Sequence, residues 1–594
     1  MDMNQITRLI SPHVPLPEEE VRELLQYPPN PEMGDVALPC FTLAKLMKRS
    51  PQQIAQSLAD AIEHPAIRAE AAGPYLNFKL DRAGFAEALI RAAASGQFWH
   101  VPAERPERII IDMSSPNIAK PFGIGHLRST MIGNAVSRIL REIGHDTVNV
   151  NHLGDWGTQF GKMIAAYMRW GDTVDLEQQP IKGYLQLYVQ FHDEAERNPQ
   201  LEEEARSWFQ RLEAGDEQAT SLWRSFIAES MREFNKLYER LGVSFNHVLG
   251  ESFYNDKMDA VVQQLAEQSL LEDSDGAKVV RLEEQGMPPC LILKSDGTSI
   301  YATRDLATAL YRHREMGGDR LLYVVGGEQT LHFRQVFQVL KKMGCDWAEQ
   351  CRHIPFGLMR LKGQKMSTRR GQVVFLEDVL NEAVDKALVK IEQKNPSLHN
   401  KRQIAEAIGL GAVVFGDLKN SRTLDIDFSL EEMLNFDGET GPYLQYTYAR
   451  TASILRKAEA GLHAATGGLG STPSDDDSSA SASRTDASPA VDTSTSPLPQ
   501  MDYSQAENPY AWALITTLNH YPERLLQAAE RYEPSVLARY LLDLAQGFNR
   551  YYHHVKVLSG QPSEVRMKLE LVSLVSQVLR RGLHLLGLAT PEEI

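Results

Sequence analysis

Arg108-Ile-Ile-Ile-Asp-Met-Ser-Ser115 is a short apolar run, and a loop of Pro, Asn and Gly follows it, Pro116-Asn-Ile-Ala-Lys-Pro-Phe-Gly-Ile-Gly-His-Leu-Arg-Ser-Thr130. Three successive isoleucines without polar alternation mark a strand covered on both faces, as in a parallel sheet. Apolar residues then recur at Leu127, Met131, Ala135, Ile139 and Ile143, one face of a helix running to Gly144. The next apolar run, Thr147 to Val150, completes a strand, helix, strand unit, which opens a doubly wound parallel sheet. Glycines between strand and helix let backbone approach a flat base closely. His126 and the amides of the helix start are expected to face an anion, so a nucleotide is expected here.

Two later runs extend the sheet: Arg320-Leu-Leu-Tyr-Val-Val-Gly-Gly327 before a helix Leu331 to Met343, and Ile354-Pro-Phe-Gly-Leu-Met-Arg-Leu361 before a turn rich in Lys, Ser and Arg. A long charged helical stretch, about Trp170 to Leu241, reads as an insertion between the halves. Ahead of the sheet, helical periodicity in Gln53 to Ile62, a strand-like Gly73-Pro-Tyr-Leu-Asn-Phe-Lys-Leu80 and a helix near Ala83 to Ala94 make a small α+β module, bounded by Pro102 and Pro106. After about Glu377 the pattern is nearly all helical. It is interrupted from Thr466 to Pro499 by Gly, Ser, Thr, Asp, Ala and Pro, a composition that cannot offset its ordering entropy and is expected to be a disordered loop. The expected organisation is an α/β multidomain chain: an N-terminal α+β domain, 1–105; a doubly wound domain, 106–385, with its insertion at about 170–241; and an all-α domain, 386–594, carrying the loop 466–499.

At 594 residues the chain exceeds one hydrophobic core. No stretch approaches the roughly 20 apolar residues of a membrane helix, and Met1 to Pro15 lacks the basic head and apolar run of a signal peptide, so a cytoplasmic protein is expected. Cys40, Cys290, Cys345 and Cys351 show neither Cys-x-x-Cys pairing nor zinc spacing. A net charge of −16 argues against coating nucleic acid by bulk electrostatics, yet leaves room for a basic face. A Walker A loop is missing too: Gly157-Thr-Gln-Phe-Gly-Lys-Met163 is one residue short and has no hydroxyl after its lysine.

Gly123-Ile-Gly-His126 resembles the His-Ile-Gly-His signature of class I aminoacyl-tRNA synthetases, and the surrounding Ser115-Pro-Asn-Ile-Ala-Lys-Pro121 resembles the arginyl branch. Gly154-Asp-Trp-Gly-Thr-Gln-Phe-Gly161 is likewise similar to arginyl enzymes, and Gly363-Gln-Lys-Met-Ser-Thr-Arg-Arg-Gly371 resembles the second class signature, Lys-Met-Ser-Lys. The resemblance implies a Rossmann-like catalytic domain that activates L-arginine with ATP and Mg2+, then esterifies it to the 2′-hydroxyl of the terminal adenosine of tRNA(Arg). It assigns catalysis to Lys120, His126 and Lys365, and ATP to Gly123, Gly125, His126, Lys365, Met366 and Ser367. Two departures stand out: Gly123 replaces the first histidine and Thr368 the final lysine of the two signatures, so Lys120 is expected to supply missing charge.

An arginine side chain needs a carboxylate that takes a guanidinium in bidentate fashion. Tyr301 and Asp305, four apart, share one face of a helix start. Resemblance gives both to the guanidinium, with Asn117 and Gln329 at the amino-acid end and Glu251 as a second carboxylate. Gly441-Pro-Tyr-Leu-Gln-Tyr-Thr-Tyr-Ala-Arg450 interleaves aromatics with amide and guanidinium groups, as base-stacking modules do. It resembles the start of the family's helical anticodon-binding domain, which makes Tyr443, Gln445, Tyr446 and Arg450 candidates for tRNA. Phe548-Asn-Arg-Tyr-Tyr-His-His554 resembles a later part of that domain. Tyr75, Asn77 and Phe78 are the candidates in the N-terminal module, whose relatives contact the tRNA elbow. A monomer and tRNA-dependent activation are the remaining expectations. The alternatives are a class I synthetase for another amino acid such as cysteine or glutamine, which Tyr301 and Asp305 oppose; a small nucleotidyltransferase, which leaves the helical C-terminal part unexplained; and a tRNA-binding relative without activity, which Gly123 and Thr368 raise and the amino-acid constellation opposes.

Overall fold

Arg108–Asp112 is the central strand of a five-stranded sheet whose order is Cys351–His353, Arg320–Tyr323, Arg108–Asp112, Asp146–Asn151, His247–Val248, every neighbouring pair parallel. Ile109, Ile110 and Ile111 are buried, as a strand covered on both faces requires. This computed structural model describes residues 3–594 except 27, 29–32, 65, 177–178, 299, 362–363, 366–373 and 467–499. The expected loop 466–499 therefore lies outside the described residues apart from Thr466, which ends the helix Gly441–Thr466.

The first crossover helix, Ile124–Glu142, ends where Gly144 takes φ +99°, a left-handed conformation costly for other residues. The Gly144 and His145 amides close the helix on Arg141 O and Leu140 O. Two residues later the chain is in the next strand. From Arg108 the strand order proceeds outward one way through residues 146–151 and 247–248, and the other way through 320–323 and 351–353. The reversal between Arg108–Asp112 and Arg320–Tyr323 is a topological switch point, where doubly wound sheets open a crevice at the carboxyl ends of their strands.

One expectation is corrected. Ile354–Leu361 is not the next strand of this sheet, which takes Cys351–His353 instead. Ile354 still donates to Tyr323 O at 2.8 Å, but Pro355 has no N–H to continue. Met359–Leu361 pairs elsewhere, between Gln364–Lys365 and Ile426–Asp427. The sequence also concealed an antiparallel meander, Glu272–Ser274, Ala277–Val280 and Cys290–Leu293, which precedes the helix Tyr301–Arg314. The insertion consists of the helices Pro180–Ala195, Gln200–Glu213 and Glu217–Arg240.

Packing divides the chain into two compact units, one of Met1–Trp99, Leu455–His520 and Gln546–Val575, the other of His100–Ile454, Tyr521–Ala545 and Ser576–Ile594. Helical residues after 386 thus contribute to both. In the first unit Val36–Pro39, Tyr75–Leu80 and Ile67–Ala72 form an antiparallel sheet with Tyr75–Leu80 in the middle. Leu38, Leu76, Phe78, Ile54 and Leu58 build its core. In the second unit the core around the sheet joins Ile110, Val148 and Leu321 to Leu306 and Val336 on the flanking helices. Among the described residues no helix is long and apolar enough to cross a membrane. All four cysteines are free and buried.

Candidate active site

The loop leaving the central strand is bent sharply: Ser114, Ser115 and Ala119 adopt φ of 74°, 49° and 57°. Left-handed backbone at non-glycine residues costs on the order of 1–3 kcal/mol each and persists only where surroundings enforce it. The enforcement is visible. Ser114 N–H donates to Ser129 Oγ at 3.0 Å, Ser114 Oγ lies 2.7 Å from Tyr238 OH, and Ala119 N–H donates to Ser230 Oγ at 3.0 Å. Tyr238 and Ser230 belong to the insertion helix Glu217–Arg240, so the insertion props the nucleotide loop from outside the sheet.

Gly123 precedes the helix Ile124–Glu142, and its N–H donates to His126 Nδ1 at 3.1 Å. That bond leaves His126 Nε2 as the proton-bearing nitrogen of a neutral ring. Burial pushes the imidazole down to about 4, and the charge of Lys120 adds to that shift. His126 therefore offers an anion a hydrogen-bond donor, not a full positive charge. Lys120 is half-buried with its ammonium 5.2 Å from the centre of the Tyr188 ring. Gly125 is exposed, with nothing within 4 Å of where a Cβ would sit, which leaves the helix start open.

The chain just past the second signature reaches the same place. Lys365 closes the short strand Gln364–Lys365, while Met366 and Ser367, with Thr368 after them, lie outside the described residues. Past them, Ile124 N–H donates to Val374 O at 3.3 Å and Leu376 N–H to Phe122 O at 3.0 Å, so Gly123 and Phe375 form a bridge. The exit of one signature is hydrogen-bonded to the turn of the other.

Around the switch point the amino-acid candidates gather on several loops. Asn117 pairs with Gly154 across the first two strand ends; Ile118 N–H donates to Gly154 O and Gly154 N–H to Pro116 O. Asp155 is buried and accepts from Ser252 N–H at 2.8 Å and Ser252 Oγ at 2.6 Å, which fixes the turn carrying Glu251. Glu251 Oε2 lies 3.1 Å from Arg304. Burial, reinforced by the charges of Asp305 and Asp155 against that of Arg304, raises Glu251 to about 7. Tyr301, 69% exposed, begins the helix on which Asp305 sits one turn later. Asp305 pairs with neither Arg304 nor Arg312: Arg312 is buried on Asp112 at 2.8 Å, and Asp305 Oδ2 lies 2.5 Å from His332 Nε2. Gln329 is exposed at the entry to the helix Thr330–Lys342, three residues before His332.

Three domain descriptions match the chain: "tRNA synthetases class I (R), catalytic domain" over residues 90–430, "Arginyl tRNA synthetase N terminal domain" over 4–80, and "DALR anticodon binding domain" over 483–594. The arginine–tRNA ligase of an Exiguobacterium species is 47% identical, covering 97% of this chain and 96% of that protein. That of Clostridium perfringens is 45% identical over 99% of both. The chain belongs to the arginine–tRNA ligase family. The structure of arginyl-tRNA synthetase from Thermus thermophilus superposes with a TM-score of 0.78 at 26% identity, covering all of both chains. That from Plasmodium falciparum shares the fold at a TM-score of 0.74 and 22% identity, covering 100% of this chain and 99% of that one.

Arginine–tRNA ligases carry out a two-step aminoacylation at the expense of ATP, and the remaining candidates concern its RNA partner. Three of them are buried. Phe78 is fully buried and Asn77 nearly so, because Tyr75–Leu80 is the middle strand of its sheet; of the three, Tyr75 alone is exposed, edge-on to Phe41 at 5.6 Å. Gln445 is also buried, and its Nε2 donates to Ala407 O and Ala589 O at 3.0 and 2.9 Å, which ties three distant segments together. Tyr443, Tyr446 and Arg450 recur at helical spacing on a half-buried face, with Arg450 and Lys394 5.1 and 5.7 Å from the centre of the Tyr446 ring. In Phe548–His554, Phe548 is core, whereas Tyr552, His553 and His554 are exposed and His554 stacks on Tyr510 at 3.9 Å.

Sequence reasoning missed Arg304, His332, Asp155 and His152. His152 follows the second strand; its Nδ1 is buried without a partner among the described residues, and burial lowers its basicity. The spacing from Gln329 to His332, one helical turn, is the only one of these signals a bare sequence carries.

Proposed function

We propose the following division of labour for this arginine–tRNA ligase, which activates L-arginine with ATP and transfers it to tRNA. Asp305 takes the substrate guanidinium, with the Tyr301 hydroxyl beside it. Glu251 adds negative charge, and Asn117 and Gln329 hold the amino-acid end. The observation that supports this assignment is the state of Asp305, a carboxylate at the switch point whose single hydrogen-bonding partner among the described residues is one imidazole. A carboxylate has about four acceptor sites, so most of its capacity remains for a planar five-donor cation.

With arginine so placed, its carboxylate attacks the α-phosphate of ATP in line, giving arginyl-adenylate and pyrophosphate. The 2′-hydroxyl of the terminal adenosine then attacks the activated carbonyl and AMP leaves. No side-chain nucleophile is required, since positioning and charge stabilisation supply the rate. Neutral His126 donates from Nε2 to a phosphate oxygen, the open helix start at Gly123 and Gly125 receives the nucleotide, and Lys120 and Lys365, with Met366 and Ser367, complete its binding. Magnesium belongs to the same reading. Among the described residues no group of three His, Cys, Asp or Glu side chains could hold an ion, so magnesium would enter on the phosphates of ATP, where it neutralises charge. The half-buried face of Tyr443, Tyr446 and Arg450, together with exposed Tyr75, supports contact with tRNA(Arg). Monomeric action in the cytoplasm completes the reading.

ATP–pyrophosphate exchange with each of the twenty amino acids, with and without tRNA, tests it alongside Asp305→Ala. Exchange with arginine alone, dependent on tRNA and lost in the variant, is expected. Exchange that survives in Asp305→Ala overturns the assignment of the guanidinium, and abundant exchange without tRNA overturns tRNA dependence.

A further inference from the structure

We propose that His332 is a specificity-determining positioning residue: it pins the Asp305 carboxylate so that its plane is already set for the guanidinium of arginine. The inference rests on the reading of Asp305 as the guanidinium acceptor. His332 Nε2 and Asp305 Oδ2 are 2.5 Å apart, and both side chains are only partly exposed, 23% and 22%. They stand on different helices, Thr330–Lys342 and Tyr301–Arg314. Each is held beside a core residue: Leu306 follows Asp305 in the chain, Phe333 follows His332, and both are packed into the same apolar cluster. Phe333 is gripped further by Tyr323 at 4.9 Å and His353 at 4.9 Å. The imidazole is thus carried on a rigid support, which is what positioning a partner to within a fraction of an ångström needs.

An unpinned carboxylate one turn into a helix would turn about its own side-chain bonds. It would also move away from Glu251 and Asp155, whose charges share the neighbourhood. A guanidinium recognises a carboxylate through two parallel N–H···O bonds in one plane, so a carboxylate free to rotate loses part of that bond energy to ordering. One N–H on Oδ2 fixes the plane and leaves Oδ1, and a further lone pair on Oδ2, for the ligand. Gln329, three residues earlier, caps the start of the same helix. One rigid element would therefore set both ends of the amino acid, the amide of Gln329 at the amino-acid end and the imidazole of His332, through Asp305, at the guanidinium. The span between them would measure the length of the side chain.

The test is steady-state pyrophosphate exchange with tRNA present, for wild type, His332→Ala, His332→Gln and Asp305→Asn, with thermal unfolding of each. Glutamine can present an N–H close to the position of Nε2; alanine cannot. Loss of one hydrogen bond to a charged group predicts that His332→Ala raises the KM for arginine about tenfold to a hundredfold. The KM for ATP and kcat should move less than about threefold, and His332→Gln should recover most of the loss. A merely structural tie would show as early melting or as equal changes in all constants, without rescue by glutamine, and that pattern overturns the proposal. An unchanged arginine KM in His332→Ala overturns it too, provided Asp305→Asn raises that KM. If Asp305→Asn leaves arginine KM unchanged, the underlying reading of Asp305 fails first. Should His332→Ala fail to fold, the comparison of His332→Gln with Asp305→Asn decides alone: KM near wild type in the former and raised in the latter is expected, and KM raised equally in both overturns it.

Discussion

Asp417 and Asp305 are both carboxylates: the first is matched to a resident guanidinium, the second is the one proposed to take the substrate's. Asp417 is 1% exposed and faces Arg128, also 1% exposed, at 3.0 Å. Arg128 spends its remaining donors on Gly357 O, Leu424 O and Arg422 O. The result is a closed knot that ties the helix behind the first signature to the segment leading into the second. Asp305 is about a fifth exposed and holds a single imidazole. A carboxylate closed around a resident cation is structure, while one near a helix start that keeps spare acceptor capacity is a candidate site. Glu251 lies between the two, with one oxygen on Arg304 and its charge unsettled near neutrality.

The largest effect belongs to the closed pair. Arg128→Met strands Asp417 in the interior, and loss of one partner of a buried pair costs about 3–5 kcal/mol. Urea unfolding should show it, and Arg128→Met combined with Asp417→Leu should recover only the part due to the stranded carboxylate, because the three carbonyls still lose their donor. At the open site the cost moves from stability to binding. Asp305→Asn should raise the arginine KM about a hundredfold, near 3 kcal/mol, while leaving the unfolding free energy within about 0.5 kcal/mol. A large loss of stability there would erase the distinction between the two carboxylates. Arg304→Met addresses the intermediate case. Without its cation, Glu251 should be protonated over a wider range, and the arginine KM should rise by about threefold to tenfold.

The smallest effect is a slope. Folded Glu251 titrates at about 7, whereas its ordinary value is 4.5. The folded chain therefore prefers the protonated form. The stability this group contributes is complete below about pH 4.5 and is lost as pH rises through 7. Arginine binding should run the other way, because ionisation near 7 adds negative charge beside the substrate cation. The arginine KM should fall between pH 6 and 8 by a few fold, and Glu251→Gln should flatten both slopes. Persistence of the wild-type slopes in that variant would remove Glu251 from the pocket.

Much of this molecule could be read from its sequence where local rules act. The strand at Arg108, the helix to Glu142 and the next strand follow from apolar periodicity, and the candidates Asn117, Asp305 and Gln329 from motif strings. What could not be read depends on contacts between distant segments. His247–Val248 is too short to show a pattern, and at the opposite edge of the sheet the run at Ile354 misled because apolar residues outweighed the missing N–H of Pro355. Asn77 and Gln445 are polar residues that turn inward, the latter to satisfy carbonyls 38 and 144 residues away. Arg304 and His332 acquire meaning only from the carboxylates that the fold brings to them.

Two glycines in the site carry a consequence for the gene. A Cβ on Gly154 would sit 2.4 Å from Asn117 Oδ1, and one on Gly250 would sit 2.2 Å from an oxygen of Asp155. Every single-base change of a glycine codon that alters the residue and keeps the chain intact adds a Cβ. At positions 154 and 250 each such change meets a side chain of the fold itself, whereas at Gly125 it meets nothing of the chain, only the space proposed for the nucleotide. Drift in this gene should be stopped by the fold at two of these codons and by ligand binding at the third.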